Sequence, residues 1–374
     1  MPTVYSVFAA FTARIAILAA CALATAAFAQ EGVAKGSINI GQSTALTGPA
    51  AALALPYTQG ARLYFDRVNS SGGINGRALQ LTSLDDAGST AAAKTNTQKL
   101  LKDGVLALFG LYGSPQTTAA HELAKDSDVL IFAPMAAADE LRGALYPQVY
   151  SMRPGYSEEA AAITRHANTL GLRKLAIVHG KDSESLSATE AAERTMSALG
   201  ANLVANTSSD SADKAIAAKP ESIMVINDFS ASAASIKELR SKGYKGPIYA
   251  FSNSGESLMA DLLGAGGAGV VMARVTPKPD NAKSALVREL AADASAAKLG
   301  KPNVYMLEGY IAARTLVEAI RRAGKEPTRA KLKRAVDAMS EFDMGGFRVH
   351  FDGDRVGSKL VELTMIDSRG RIRE

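Results

Sequence analysis

The chain has one cysteine, Cys21, in 374 residues, no tryptophan, and four histidines. A lone thiol excludes a disulfide framework. Aromatic residues make up only 6%, so a core must be packed from aliphatic side chains. No H-E-x-x-H, G-x-S-x-G or P-loop sequence occurs, which removes the signatures of zinc peptidases, serine hydrolases and P-loop nucleotide enzymes. The net charge is +5, and no basic run is dense enough to hold nucleic acid. The richest basic stretch, residues 321–334 (RRAGKEPTRAKLKR), reads as the solvated face of a helix pair. What is present is globular in composition, 47% hydrophobic and 21% charged.

The first 29 residues differ from the rest. They hold one charged side chain, Arg14, then an apolar run over residues 15–28 that ends Ala27-Phe28-Ala29. A basic start, an apolar stretch of about 7–15 residues and an A-x-A ending describe a secretory signal peptide, cleaved after Ala29. The run is short for a membrane span, which needs about 20 residues. A retained anchor is one alternative. A lipoprotein is another, because Leu18-Ala19-Ala20-Cys21 resembles a lipidation site, although the apolar run continues past Cys21. Cleavage removes Cys21 and with it thiol chemistry; losing Arg14 lowers the net charge from +5 to +4. The expected location is the periplasm.

The length suits two domains. Strand-like segments at residues 37–44, 78–84, 105–110 and 129–133 alternate with helical periodicity at 58–70, 91–102 and 115–126. A second series follows, with strands at 174–179, 201–205, 222–226, 247–251 and 269–274 and helices at 158–170, 187–199 and 231–242. Long helices are expected at 284–298 and 305–323, then a closing hairpin of 347–351 with 361–367 around Gly353. Such alternation predicts an α/β fold built on parallel sheets. Ligands then bind at the carboxyl ends of the strands, so the loops there matter most.

In one such loop, Gly113-Ser114-Pro115, Ser114 stands at or beside a helix N-cap. Its hydroxyl and the free N–H groups suit a carboxylate, although a plain cap would look the same. Asp85 and Asp86 lack a histidine or further acid at ligand spacing, so they read as loop braces or caps rather than a metal site. His179 borders a strand-end loop and reads as a core or rim histidine. The GAGGAG of residues 264–269 precedes a strand, the wrong context for a dinucleotide loop.

Together these segments resemble the type I periplasmic solute-binding proteins of ABC importers, in their Leu/Ile/Val-binding branch. The resemblance is carried by residues 41–49 (GQSTALTGP), Gly60-Ala61, 68–77 (VNSSGGINGR), 84–87 (LDDA), 110–114, Ala133-Pro134 and 307–312 (LEGYIA). It implies two doubly wound parallel-sheet lobes joined by a three-segment hinge, with crossings near residues 152–156, 276–280 and 341–345. After the signal peptide at 1–29, the N-terminal lobe would comprise 36–152 plus 280–341, and the C-terminal lobe 153–279 plus 342–374. The ligand would lie between the lobes.

The resemblance also implies site residues. Ser114, with Gly113 and Tyr112 beside it, would take a ligand carboxylate. The loop of Met135, Ala136 and Ala137 would flank it, with Ala137 standing where the family uses a threonine toward the ammonium. Asn253 replaces the family's acid, Leu53 a tyrosine that covers the ligand, and Glu184 another tyrosine, while Phe229 keeps an aromatic. A buried ammonium needs an anionic or fully bonding partner. Either the ligand lacks an α-amine, or Glu184, Asp228 or Glu308 receives it; a carboxylate-bearing ligand is favoured.

The implied function is a solute-binding component that hands a small molecule to an ABC permease in the inner membrane, acting as a monomer with no cofactor or metal. An enzyme would need a nucleophile–base pair, and none is evident. Ligand presentation to a membrane sensor is the other alternative.

Overall fold

The structure is a computed structural model that describes residues 31–351 and 355–374. The leader expected at 1–29, with Cys21, lies outside the described residues, as does Gly353.

Two sheets organise the chain. The first has the order β2-β1-β3-β4-β5 and is parallel throughout: β1 (Ser37–Thr44), β2 (Ala78–Asp85), β3 (Ala107–Phe109), β4 (Leu130–Phe132) and β5 (Val149–Tyr150). Helices α1 (Ala51–Ser70), α2 (Thr90–Asp103) and α3 (Ser114–Ala124) connect them. The second sheet has a parallel body of β6 (Lys174–His179), β7 (Asn202–Ser208), β8 (Ser222–Ile226), β9 (Ile248–Ala250) and β10 (Val270–Arg274). Its helices are α4 (Tyr156–Thr169), α5 (Ser183–Ala198), α6 (Ala212–Ala217), α7 (Phe229–Ser241) and α8 (Glu256–Leu263). Central strands such as ALF, LIF and SIMVI are buried along their whole length, as parallel strands covered on both faces must be. The helices start where short polar residues satisfy their free N–H groups. Ser89, Asp182 and Asp228 each accept a backbone N–H at the first turn of α2, α5 and α7.

The chain then returns to the first lobe as α9 (Ala285–Ala296), α10 (Val304–Arg322) and α11 (Arg329–Asp337). Here α10 lies directly on α1. A Cβ at Gly60 would stand 1.9 Å from the Met306 carbonyl oxygen, and one at Gly309 would stand 1.9 Å from that of Tyr57. Each glycine lets the other helix's backbone approach closely.

Three passages join the lobes. The first runs through residues 151–155 and the second through 275–284. The third differs from the expected crossing at 341–345. Strand β11 (Phe342–Asp343) pairs with β12 (Arg348–Val349), and Phe347, Val349 and Phe351 pack into the first-lobe core with Tyr150, Met152 and Met339. Residues 342–351 therefore sit against the first lobe, not the second. Val356 then bridges Ser151 alongside the first passage, and the chain enters the second sheet only at β13 (Glu362–Ile366). The hairpin expected between 347–351 and 361–367 does not form. Instead β13 pairs antiparallel with β10 and with β14 (Ile372–Arg373).

Candidate functional site

A cavity of about 460 Å³ lies between the lobes at the strand ends. The first lobe lines it with Leu53, Tyr112, Gly113, Met135 and Ala137, and the second with Glu184, Asp228, Phe229 and Asn253. All of these were singled out in the sequence. Ser114, Ala136 and Glu308 do not line it; Ser114 lies behind the wall, under the Glu184 carboxylate that it binds. The Ala136 carbonyl instead accepts a hydrogen bond from Arg142 Nη2 at 3.0 Å, and Glu308 faces Arg153. Arg153, Tyr156, Tyr305 and Gln116 also line the cavity, and the sequence reading missed them.

Ser114 begins α3 but does not cap it. The cap position belongs to Gly113, whose φ of 91° is in the region glycine tolerates. The Ser114 N–H and Oγ are therefore free to bind an anion at a helix N-terminus. They hold the carboxylate of Glu184: Ser114 N donates to Oε2 at 2.7 Å and Ser114 Oγ donates to Oε1 at 2.7 Å. The Tyr156 hydroxyl donates to Oε1 as well. Burial first, and then this neighbouring carboxylate, push the Tyr156 phenol well above its ordinary pKa, so it stays a donor. Glu184 reaches across from the opposite lobe at the start of α5. Asp182 fixes that helix end by accepting Ser185 N at 2.9 Å and Ser185 Oγ at 2.7 Å.

A second charged group lies deeper. Arg153, on the first passage, donates through Nη2 to Ser252 Oγ and has Nε 3.7 Å from Glu308 Oε1. Ser252 in turn donates to Glu159, from N at 2.7 Å and from Oγ at 2.8 Å. Burial pulls the Arg153 pKa down, but the Glu308 and Glu159 carboxylates outweigh it and hold it above its ordinary value. Burial pushes both glutamates up against the pull of Arg153. Arg142 ties this passage to the loop before it, donating to the carbonyls of Ala138, Ala136, Arg153 and Pro154 at 2.7–3.2 Å.

The remaining wall is braced by the acid pair. Asp85 accepts from Leu46 N, Thr47 N, Thr47 Oγ1 and Ala87 N, fixing the loop that carries the cavity residues Pro49 and Ala50. Asp86 accepts from Ser43 Oγ at 2.8 Å and Gly88 N at 2.9 Å. Both act as braces. His179 turns its Nδ1 to the Gly180 carbonyl at 2.6 Å and stays off the cavity wall. Asn253 Oδ1 and Gln116 Oε1 are buried and make no hydrogen bond among the described residues. Among the described residues there is no group of three or more His, Cys, Asp or Glu side chains placed to hold a metal ion.

Comparison with known proteins then decides the family. The sequence profile described as "Periplasmic binding protein" matches residues 37–370. The chain belongs to this family. Several curated relatives are named as Leu/Ile/Val-binding proteins. A Pseudomonas aeruginosa leucine-, isoleucine-, valine-, threonine-, and alanine-binding protein is 31% identical over 34% of this chain and 35% of its own length. A Salmonella typhimurium leucine-specific-binding protein is 23% identical over 78% of this chain and 81% of its own. The matches to the first curated relatives span 35%, 53% and 45% of those proteins' lengths, so about a third to a half. An extracellular ligand-binding receptor from Verminephrobacter eiseniae superposes with a TM-score of 0.83 at 25% identity, covering 91% of this chain and all of that one. A leucine binding protein from Thermotoga maritima superposes at 0.81 with 17% identity over 90% and 97% of the two chains, a likeness of fold alone.

For a periplasmic binding protein, the cavity stands where the two-lobed fold brings opposite strand ends together. Its lining departs from a simple carboxylate cradle most directly at Glu184, the side chain already resting on Ser114.

Proposed function

We propose that the protein is the extracytoplasmic solute-binding component of an ABC importer, working in the periplasm. It captures a small organic molecule between its lobes by closure and delivers it to a membrane permease, without catalysis. The observation that carries this reading is the interlobe cavity of about 460 Å³, walled by both lobes at their strand ends. A ligand touching both walls favours the closed arrangement over an open one by its differential contacts. A ligand carboxylate reaches Ser114 only if Glu184 gives up its place.

The test is a thermal-shift screen of the purified protein against amino acids, carboxylates, amines, amides and sugars. A solute that binds only the folded state raises the melting temperature with its concentration. One saturable hit supports the reading, and a complete absence of hits across all classes overturns it.

A further inference from the structure

Glu184 sits where a ligand anion would sit. Its two oxygens take the Ser114 N–H and hydroxyl, each at 2.7 Å, and the Tyr156 hydroxyl adds a third donor. A ligand carboxylate would have to displace this group and then share the cavity with it, and like charges in one enclosed site repel. The rest of the wall adds to the same sign. Asp182 and Asp228 line the cavity beside Glu184, and among the described residues the one cation on the wall is Arg153. That guanidinium is charge-paired with Glu308, 3.7 Å from its Nε, and donates through Nη2 to Ser252, which Glu159 holds, although Nε makes no hydrogen bond among the described residues. Asp228 caps α7 through Oδ1 alone, leaving Oδ2 outside the cap. Asn253 Oδ1 is a buried acceptor with no donor among the described residues. Tyr112, Tyr156, Phe229 and Tyr305 add aromatic rings to the lining. Carboxylates, an unanswered acceptor and ring faces together make a site for an organic cation.

We propose that Glu184 is a built-in anion that closes the Ser114 site to ligand carboxylates and receives the ammonium group of the solute, so that the pocket selects organic amines over amino acids and acids. The inference rests on the solute-binding reading above. In it Glu184 is the specificity-determining residue, and Ser114 and Tyr156 are positioning residues that aim its charge.

The experiment is isothermal titration of the purified protein with matched trios on one carbon skeleton. Isopentylamine, leucine and 4-methylpentanoate form one trio; phenethylamine, phenylalanine and 3-phenylpropionate form the other. The amine of at least one trio is expected to bind tightest. Glu184→Gln should weaken that amine about tenfold or more, the scale of a lost charged hydrogen bond. Ser114→Ala, which leaves the Glu184 charge in the cavity, should weaken it less. An amino acid or an acid binding tightest overturns the inference, and so does Glu184→Gln with unchanged amine affinity. Circular dichroism confirms that the variant is folded; if it is not, the ranking within each wild-type trio decides alone. A panel with no binder also overturns the inference. The solute-binding reading then stands or falls separately on the broader thermal-shift screen.

Discussion

Arg153 Nε faces Glu308 Oε1 at 3.7 Å, with both side chains almost fully enclosed. The pair joins the first passage between the lobes to helix α10, and Glu159 lies on the other side through Ser252. Arg153→Met would leave two buried carboxylates without their cation. We expect a loss of about 3–5 kcal/mol in chemical denaturation at neutral pH. The pH dependence has a definite sign. Both glutamates are already raised above the ordinary carboxyl value, and losing Arg153 raises them further. The folded variant therefore binds more protons than the unfolded chain, and its stability should recover as pH falls from 7 toward the carboxyl range. A variant equally unstable at pH 7 and pH 5 would show that the carboxylates are not the cause.

Asp85 gives the opposite sign. The Thr47 hydroxyl, then the backbone N–H groups around it, hold its pKa down at about 2, against an ordinary 3.8. Its contribution is present above the ordinary value and is lost as pH falls from there through about 2. Hydrogen exchange at the Leu46 and Thr47 amides should accelerate over that window. Asp85→Asn should exchange faster at neutral pH and show a flatter acid dependence. Identical profiles for the two proteins would remove Asp85 as the brace of this wall.

The crossing of α1 and α10 predicts a steric effect. Gly60→Ala puts a methyl 1.9 Å from the Met306 carbonyl, so the helices must separate. A cost of about 1–3 kcal/mol is expected, read as a lower melting temperature. Gly72→Ala is a poor control because its φ is 94°, whereas Gly36 has open space and no such backbone demand. Gly36→Ala should leave the melting temperature nearly unchanged.

Arg142→Lys keeps the charge and loses the fork. One ammonium cannot reach four carbonyls spread over two segments as the guanidinium does. A loss of about 1.5–3 kcal/mol is expected in urea denaturation. No change would mean that the loop at 136–138 and the first passage are held by packing alone.

The fold was legible because each strand-to-helix alternation is a local pattern, and so were the cavity loops, which follow the strands. What was missed depends on partners far apart in the chain. Arg153 and Tyr156 fell in a stretch read only as a hinge, and nothing local marks them as cavity wall. Tyr305 stands on a helix whose apolar period suits a core position equally well. The contact of Glu184 with Ser114 spans 70 residues, so the sequence offered Glu184 as a possible ammonium partner without showing what would hold it. The misplaced third crossing has the same origin. Residues 342–351 are short alternating segments that fit either lobe, and only Phe347, Val349 and Phe351 meeting the first-lobe core decides between them.

The route of the chain through both lobes bears on how the protein forms. The first lobe opens with β1 and α1 yet needs α10, more than two hundred residues later, to cover α1. The second lobe contains β6 to β10 as one stretch yet takes β13 along the edge of β10 from the far end of the chain. The first lobe lacks a cover for α1 until α10 arrives, and the second lacks an edge strand until β13 arrives. Such distant pairings slow folding, because loop closure must precede the contacts that reward it. A chain emerging gradually from a ribosome or a translocation channel would thus keep the first lobe incomplete until α10 is out and the second until β13 is out, and native structure should arise late in both lobes.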